Sequence, residues 1–114
     1  MEPVKGNENV KKLRKRVIKS FLDLFVLAED QERPLSGYDI VGLLRKRFDV
    51  YFSPGSVYSL LFSLERNCLV AGKMFSRKRV YALTEKGEET LRTVASANGK
   101  ILGLLRDMLG SATS

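Results

Sequence analysis

Two clusters of side chains in this sequence have the chemistry to bind phosphates and bases. The first is a set of hydroxyls around one glycine within residues 53–59: Ser53, Gly55, Ser56, Tyr58 and Ser59. The second is a set of cations within residues 73–79: Lys73, Arg77, Lys78 and Arg79. Hydroxyls hydrogen-bond to phosphate oxygens and base edges, and Lys and Arg neutralise phosphates. The two clusters are therefore candidate contacts for nucleic acid, and the alternative is that they are solvated side chains.

The charge of the whole chain also points to a polyanionic partner. The 114 residues include 20 Lys and Arg against 13 Asp and Glu, which gives a formal charge of +7. A small basic chain most often binds nucleic acid, and sometimes an anionic membrane surface. RNA is a weaker candidate than DNA, because the sequence shows no platform of stacked aromatic residues.

The residue types argue against catalysis. The chain contains no His, which excludes a His-based triad, a His metal ligand and an imidazole acid–base catalyst. Its one cysteine, Cys68, cannot form an internal disulfide or a Cys-rich zinc site, and its apolar neighbours predict a buried, inert thiol. No carboxylate pair, P-loop or dinucleotide fingerprint is evident. We therefore expect no enzyme activity, no cofactor and no metal.

The apolar runs are too short to cross a membrane. The best of them, residues 21–28, falls well below the ~20 residues of a span and includes Asp23. The first ten residues, MEPVKGNENV, contain no hydrophobic signal region. We expect an intracellular protein with no membrane partner, cytoplasmic and associated with the nucleoid.

The spacing of apolar residues predicts three helices before the cationic cluster. Residues 1–8 lack an apolar period and are expected to form a flexible arm. A stripe of apolar residues three and four apart predicts one helix over 10–28, which the segment ending in Pro34 terminates. Ser36 is a suitable N-cap for a second helix over 37 to about 48. Ser53, followed by Pro54 at the first helical position, opens a third.

Two strands and a last helix are predicted after residue 68. Residues 69–75 and 79–83 favour strands, with a polar turn at 76–78. Thr84 is expected to cap a helix over about 84–109, in which Gly87 is mildly unfavourable. The pair Asn98 and Gly99 is equally consistent with a break and with a continuous helix. Residues 9–110 are thus interpreted as one domain and 111–114 as a frayed tail.

The order of these elements and four motifs resemble the PadR family of transcriptional regulators. The motifs are LSGYDI at 35–40, SPGSVYSLL at 53–61, LER at 64–66 followed by LV at 69–70, and RKRVYALTEKG at 77–87. The resemblance implies a mostly α (α+β) winged helix-turn-helix fold with a two-stranded wing. It also implies that double-stranded DNA binds through the third helix and the wing, using the two clusters described above. A plainer interpretation is that these side chains are simply solvated.

The densest run of charge lies on the first predicted helix. Its members are Lys11, Lys12, Arg14, Lys15, Arg16 and Lys19. They form either a solvated helix face or an extension of the electrostatic footprint on DNA. The sequence leaves both interpretations open.

The first and last helices contain more apolar residues than one small core needs, which predicts a homodimer. The expected dimerisation residues are Phe21, Leu91, Val94, Ile101, Leu102, Leu105 and Met108. We expect a sequence-specific regulator, a repressor rather than an activator, with an effector unknown. The lack of Trp gives no reason to expect a large ligand pocket, although one at the dimer interface stays open. Two alternatives are an architectural protein that coats DNA with little sequence preference and a protein-interaction winged helix.

Overall fold

The computed structural model describes residues 4–110, in which helices flank an antiparallel hairpin. The elements are α1 Val4–Ser20, α2 Leu22–Asp30, α3 Gly37–Phe48, α4 Pro54–Arg66, β1 Val70–Phe75, β2 Lys78–Leu83, α5 Glu85–Ser96 and α6 Asn98–Leu109. Because α3 and α4 are joined by a short connection and the hairpin follows α4, this is the predicted winged helix-turn-helix arrangement. The predicted mostly helical class is confirmed.

The single helix predicted over 10–28 is wrong, because the chain bends at Phe21 between α1 and α2. Phe21 has φ −116° and ψ 19°, outside the helical region, yet its N–H still donates to the Val17 and Ile18 carbonyls at 3.2 Å. The bend turns Leu22 and Val26 into the core, while Val10, Leu13 and Val17 of α1 stay exposed. The predicted arm over 1–8 is also corrected for residues 4–8, which belong to α1, whereas residues 1–3 lie outside the described part of the chain. Helix propagation adds one hydrogen bond per residue, which extends α1 beyond its apolar stripe.

The last helix breaks as well, one residue before the pair that the sequence singled out. Ala97 has φ −96° and ψ 5°, and its N–H donates to the Thr93 and Val94 carbonyls at 3.1 and 3.0 Å. Asn98 begins α6, so the predicted helix over 84–109 consists of two helices. The predicted tail, 111–114, lies outside the described residues.

Three helices begin where their capping residues predict. The Ser36 and Asp39 side chains form a capping box at the start of α3, with reciprocal bonds of 3.1 and 2.9 Å to backbone N–H groups. Ser53 Oγ accepts the Ser56 N–H at 3.2 Å in α4. Thr84 Oγ1 accepts the Gly87 N–H at 3.0 Å in α5.

The hairpin turn is tighter than predicted. The strands pair from Val70 opposite Leu83 to Phe75 opposite Lys78, so the turn contains two residues instead of three. Both turn residues, Ser76 and Arg77, have positive φ values of 50° and 66°. Two-residue hairpin turns of this kind follow the twist of the strands but strain residues other than Gly and Asn.

The core lies between α2, α3, α4 and the base of the hairpin. Its fully buried apolar side chains are Val26, Leu27, Leu35, Ile40, Leu44, Val57, Leu61 and Val70. Leu35 also forms a β-bridge with Tyr81, which attaches the segment before α3 to the second strand. Among the described side chains of α1 and α6, none is buried. The two end helices are therefore held by few intramolecular contacts.

Two predictions about residues near the hairpin are wrong. Cys68 is exposed, because it occupies a left-handed turn (φ 63°) between α4 and β1. Gly87 is required by packing, since a Cβ at this position would overlap the Leu69 carbonyl oxygen. This close approach brings the first turn of α5 against the entry of the wing.

Candidate nucleic-acid interface

The predicted hydroxyl cluster lies on the outer face of α4. The buried residues Val57, Leu61 and Leu64 anchor the opposite face of the helix in the core. Helical periodicity then places Ser53, Gly55, Ser56 and Ser59 in solvent. Ser53 Oγ lies 3.0 Å from Ser56 Oγ, so the two hydroxyls at the start of α4 form a linked pair.

Tyr58 differs from the serines because its ring is half-buried. The ring packs on Gly37, where a Cβ would lie 2.5 Å from Tyr58 Cζ. Its second neighbour is Tyr38, whose ring stands edge-to-face at a centroid distance of 5.9 Å. Tyr38 is 67% exposed and was not predicted as a site residue. The two tyrosines therefore join the starts of α3 and α4 at the surface.

The four predicted wing cations fall into two classes. Lys78 Nζ lies 3.4 Å from Asp39 Oδ1, and Arg79 Nη2 lies 2.9 Å from Glu65 Oε2. Within the described part of the chain, Lys73 and Arg77 have no carboxylate partner. Two cations of the wing are thus paired to the helix-turn-helix, and two face solvent with their charge unmatched.

Glu65 connects α4 to both strands of the wing. Its carboxylate accepts the Gly72 N–H of β1 at 3.1 Å and contacts the Arg79 guanidinium of β2 through both oxygens. The Gly72 N–H, together with Arg79, holds the pKa of Glu65 below its ordinary value, against the effect of desolvation. Glycine leaves room for this contact, because a Cβ on Gly72 would lie 2.6 Å from Arg79 Nη2. The carboxylate is ionised at neutral pH and positions the wing.

Asp39 connects the start of α3 to the wing in a similar way. Desolvation pushes the pKa of Asp39 upward, but the Ser36 hydrogen bonds and the Lys78 ammonium outweigh it and lower the pKa overall. The same carboxylate thus caps α3 and pairs with the end of the hairpin.

Some cations of α1 attach the helix to the rest of the domain. Arg14 Nη1 donates to the Phe48 carbonyl at the end of α3, at 3.1 Å. Lys15 Nζ lies 5.2 Å from the centre of the Phe52 ring. All six predicted cations of this helix are exposed, so Arg14 and Lys15 make these contacts at the surface. The run is therefore partly structural.

Three exposed apolar residues near this surface were missed by sequence reasoning. Phe62 on α4 is 61% exposed, and the Arg66 guanidinium lies 5.6 Å from the centre of its ring. Met74 and Phe75, at the end of β1, are 64% and 65% exposed. Phe62 falls outside the spacing of the buried residues of α4, and this signal could have identified it. The two strand residues gave no such signal, because their exposure depends on how far the hairpin projects.

The predicted dimerisation residues lie on the weakly packed ends of the molecule. Phe21, Leu102, Leu105 and Met108 are exposed, and Leu91, Val94 and Ile101 are half-buried. Three further residues of α1, Val10, Leu13 and Val17, add an exposed apolar stripe. Both end helices thus present large apolar faces to solvent.

The sequence matches the model of the transcriptional regulator PadR-like family over residues 24–93. This match covers more than half of the chain and includes α3, α4, both strands and most of α5. The chain belongs to the PadR-like family. No curated protein sequence matches it.

Solved structures agree with this membership. The PadR-like chain is 25% identical to a PadR-like transcriptional regulator from Bacillus cereus, with a TM-score of 0.70 over 84% of this chain and 98% of that chain. It is 27% identical to a winged-helix DNA-binding protein from STIV, with a TM-score of 0.61 over 74% and 90% of the two chains. A PadR family regulator from Eggerthella lenta shares the fold, with a TM-score of 0.76 at 19% identity over 96% and 99%.

The family assigns the general function of the chain. PadR-like proteins are transcriptional regulators and not enzymes, so both the predicted regulatory role and the predicted lack of catalysis are confirmed. The family and the winged-helix fold also imply DNA binding. Among the described helices, none has the length and apolarity that a bilayer span requires.

Proposed function

We propose that this PadR-like regulator is a homodimeric repressor that occupies promoter DNA inside the cell, with α4 in the major groove and the wing against the neighbouring backbone. The observation that supports this most directly is the adjacency of two surfaces. The solvent-facing hydroxyls of α4 adjoin a wing that Glu65 holds in place and that presents Lys73 and Arg77 without carboxylate partners.

The two surfaces have different roles in this proposal. Ser56, Ser59 and Tyr58 lie where a recognition helix meets base edges, and Ser53 and Gly55 lie where its first turn approaches a phosphate. Bidentate Arg–guanine contacts are not available to α4, because its first cation is Arg66 at the last position. Lys73 and Arg77 contact phosphates or the minor groove. Lys78 and Arg79 act through their carboxylate partners to position the wing.

The dimer rests on the exposed apolar faces of the end helices. The radius of gyration is 16.2 Å, compared with ~13 Å for a compact domain of this length. The excess reflects helices that project from the core with apolar residues uncovered, which a second copy would bury. Two copies would place their α4 helices in successive major grooves, ~34 Å apart.

The test is selection of bound sequences from random duplex DNA at near-physiological salt. The repressor proposal predicts an enriched inverted repeat with half-sites about one helical turn apart, bound more tightly than random duplex by ~1,000-fold or more. Reduced transcription from a promoter that contains the repeat, restored by deleting the repeat, tests repression itself.

A second candidate is an architectural protein that coats DNA without sequence preference. The lack of Lys and Arg on α4 before Arg66 favours it. Its expected result is tight binding with a steep salt dependence and no enriched sequence. The same selection experiment therefore separates the two functions.

A further inference from the structure

The tip of the wing carries two large apolar side chains in solvent. Met74 and Phe75, the last two residues of β1, are 64% and 65% exposed. The strand begins at Val70, which is buried in the core. Because a strand rises by ~3.4 Å per residue, Phe75 lies about 17 Å along the chain from that anchor. The apolar tip therefore projects away from the core.

The two side chains lie on opposite faces of the hairpin, because successive residues of a strand alternate between faces. Met74 is directly opposite Arg79, whose guanidinium extends along that face to α4. Phe75 is directly opposite Lys78 and shares the other face with it. A two-residue turn closes the hairpin immediately beyond the pair. The end of the wing is thus a narrow wedge with an apolar side chain on each face.

The surroundings of this wedge are cationic. Residues 70–83, which form both strands and the turn, contain four cations and no carboxylate. Two of these cations are paired with carboxylates of the helix-turn-helix. The other two, Lys73 and Arg77, stand on either side of the apolar pair in the sequence and have no carboxylate partner within the described part of the chain. This pattern fits a partner in which an apolar surface lies between anions.

Double-stranded DNA is a partner of this kind. Its base pairs present their apolar faces to one another, and a row of phosphates borders each side of the minor groove. A protein partner is less suitable, because Lys is depleted at protein–protein interfaces. An apolar tip that meets the bases would therefore bring its flanking cations to the phosphates.

We propose that Met74 and Phe75 form a wedge that enters the minor groove beside the α4 contact, partly unstacks one base step and bends the duplex. Minor-groove proteins insert Phe and Met side chains between base pairs in this way and bend DNA by ~20–90°. The inference rests on the proposed function and adds to it a second means of reading the sequence.

This bend would supply sequence preference that α4 lacks, since the first cation of α4 is Arg66 at its last position. Pyrimidine–purine steps such as TA and CA unstack most easily, so a wedge favours them without a hydrogen bond to either base. The ion pairs that join the wing to α3 and α4 hold the tip at a fixed place relative to the recognition helix. A flexible step should therefore recur at a constant distance from the bases that α4 reads.

The bend is measured as energy transfer between fluorophores at the two ends of a duplex of ~30 base pairs that contains the selected site, at saturating protein. We expect the wild-type protein to shorten the end-to-end distance. Met74→Ser with Phe75→Ser should remove most of this shortening and weaken binding to the selected site by about tenfold. The slope of log K against log salt should stay unchanged, because neither side chain neutralises a phosphate.

Met74→Leu with Phe75→Leu is the matched control, because it changes the same two exposed positions and keeps them apolar. The leucine variant should still bend the duplex and keep the preference for a flexible step. The serine variant should lose that preference and keep the preference at the bases that α4 reads. Thermal unfolding checks that both variants are folded.

Three results would overturn the wedge. They are an unchanged end-to-end distance with the wild-type protein, an undiminished bend with the serine variant, and an equal loss of bending with the leucine variant. Cosedimentation with vesicles of phosphatidylcholine and phosphatidylglycerol tests an anionic membrane as the partner instead. Vesicle binding that only the serine variant loses, with DNA bending unaffected, would assign the tip to a membrane and exclude the wedge.

Failure of the wedge can be distinguished from failure of the proposed function. An enriched inverted repeat that is bound without bending would keep the proposed function and exclude the wedge. If the selection enriches no sequence, the bend is measured on random duplex. Bending that the serine variant loses would then support the wedge and count against the sequence-specific repressor alone.

Discussion

Arg79 on β2 contacts Glu65 on α4 through both carboxylate oxygens, with Nη2 at 2.9 Å from Oε2 and 3.2 Å from Oε1. The same carboxylate accepts the Gly72 N–H of β1 at 3.1 Å. One side chain of the proposed recognition helix thus holds both strands of the wing. The relative orientation of the two proposed DNA-binding surfaces depends on this contact.

Replacing Glu65 separates a positioning role from a purely electrostatic one. Glu65→Gln removes a negative charge, which by itself should tighten binding to every DNA sequence. If Glu65 positions the wing, affinity for the selected site should instead fall, by roughly three- to tenfold, a modest loss that suits a partly exposed ion pair. Glu89→Gln on α5, an exposed site with the same charge change, is the control. Titrations of both variants on the selected site and on random duplex distinguish the two roles. Tighter binding by both variants would contradict the positioning role.

Helix and wing variants should differ in their salt dependence. Ser56→Ala and Tyr58→Ala should weaken binding to the selected site by about two- to tenfold, because one hydroxyl contact contributes ~0.5–1.5 kcal/mol. Their salt slopes should not change. Lys73→Ala and Arg77→Ala should weaken binding to all sequences, and each should lower the slope of log K against log salt by ~0.9. If the wing variants alone changed sequence preference, the assignment of α4 as the reading helix would be wrong.

The dimer should dissociate when charge enters the apolar face of α6. Leu102→Asp with Leu105→Asp places two carboxylates among exposed leucines, so we expect monomers, or unfolding if folding needs the dimer. Ser96→Asp with Asn98→Asp adds the same charge at exposed polar positions and should remain dimeric. Sedimentation is the measurement, and a stable wild-type monomer at micromolar concentration would exclude the dimer.

Asp30 should make the protein less stable as the pH rises. Its side chain is nearly buried at the end of α2, and within the described part of the chain neither oxygen has a hydrogen-bond partner. Burial, with a smaller contribution from Glu29, raises its pKa from 3.8 to about 7. The folded state therefore holds a proton that the unfolded chain releases above pH ~4.

The free energy of unfolding should fall between pH ~4 and ~7, by at most ~1.4 kcal/mol per pH unit for this group, and level off above. The lowered pKa values of Asp39 and Glu65 change the free energy of unfolding mainly at lower pH. Asp30→Asn should remove the decrease and exceed wild type in stability at pH 8, whereas the exposed control Glu32→Gln should keep it. Urea titrations across this range provide the check, and parallel wild-type and Asp30→Asn curves would refute the assignment.

Two glycines in helices should respond in opposite ways to alanine. Gly87→Ala directs a methyl group into the Leu69 carbonyl, and the overpacking should destabilise the fold by ~1–3 kcal/mol. Gly42→Ala on α3 meets nothing within 4 Å and should stabilise it by ~0.5–1 kcal/mol through helix propensity. Urea unfolding compares the free energies of unfolding of the two variants. An unchanged free energy of unfolding for Gly87→Ala would show that α5 can shift away from the wing.

Local chemistry in the sequence was enough to predict the helix-turn-helix and the wing. Ser36, Ser53 and Thr84 cap their helices as expected, because a side chain three residues from a free N–H needs no tertiary contact to reach it. The apolar spacing of α4 likewise determined which face is buried, and so placed Ser56 and Ser59 in solvent.

Only the tertiary structure decided how these parts are held together. The bend at Phe21 keeps its local hydrogen bonds, so its position depends on which residues the core buries. Arg79 and Lys78 look like free wing cations in the sequence, yet their carboxylate partners lie 14 and 39 residues away. The need for Gly87 arises in the same way. Each depends on distant segments meeting in space, which no local periodicity or capping signal encodes.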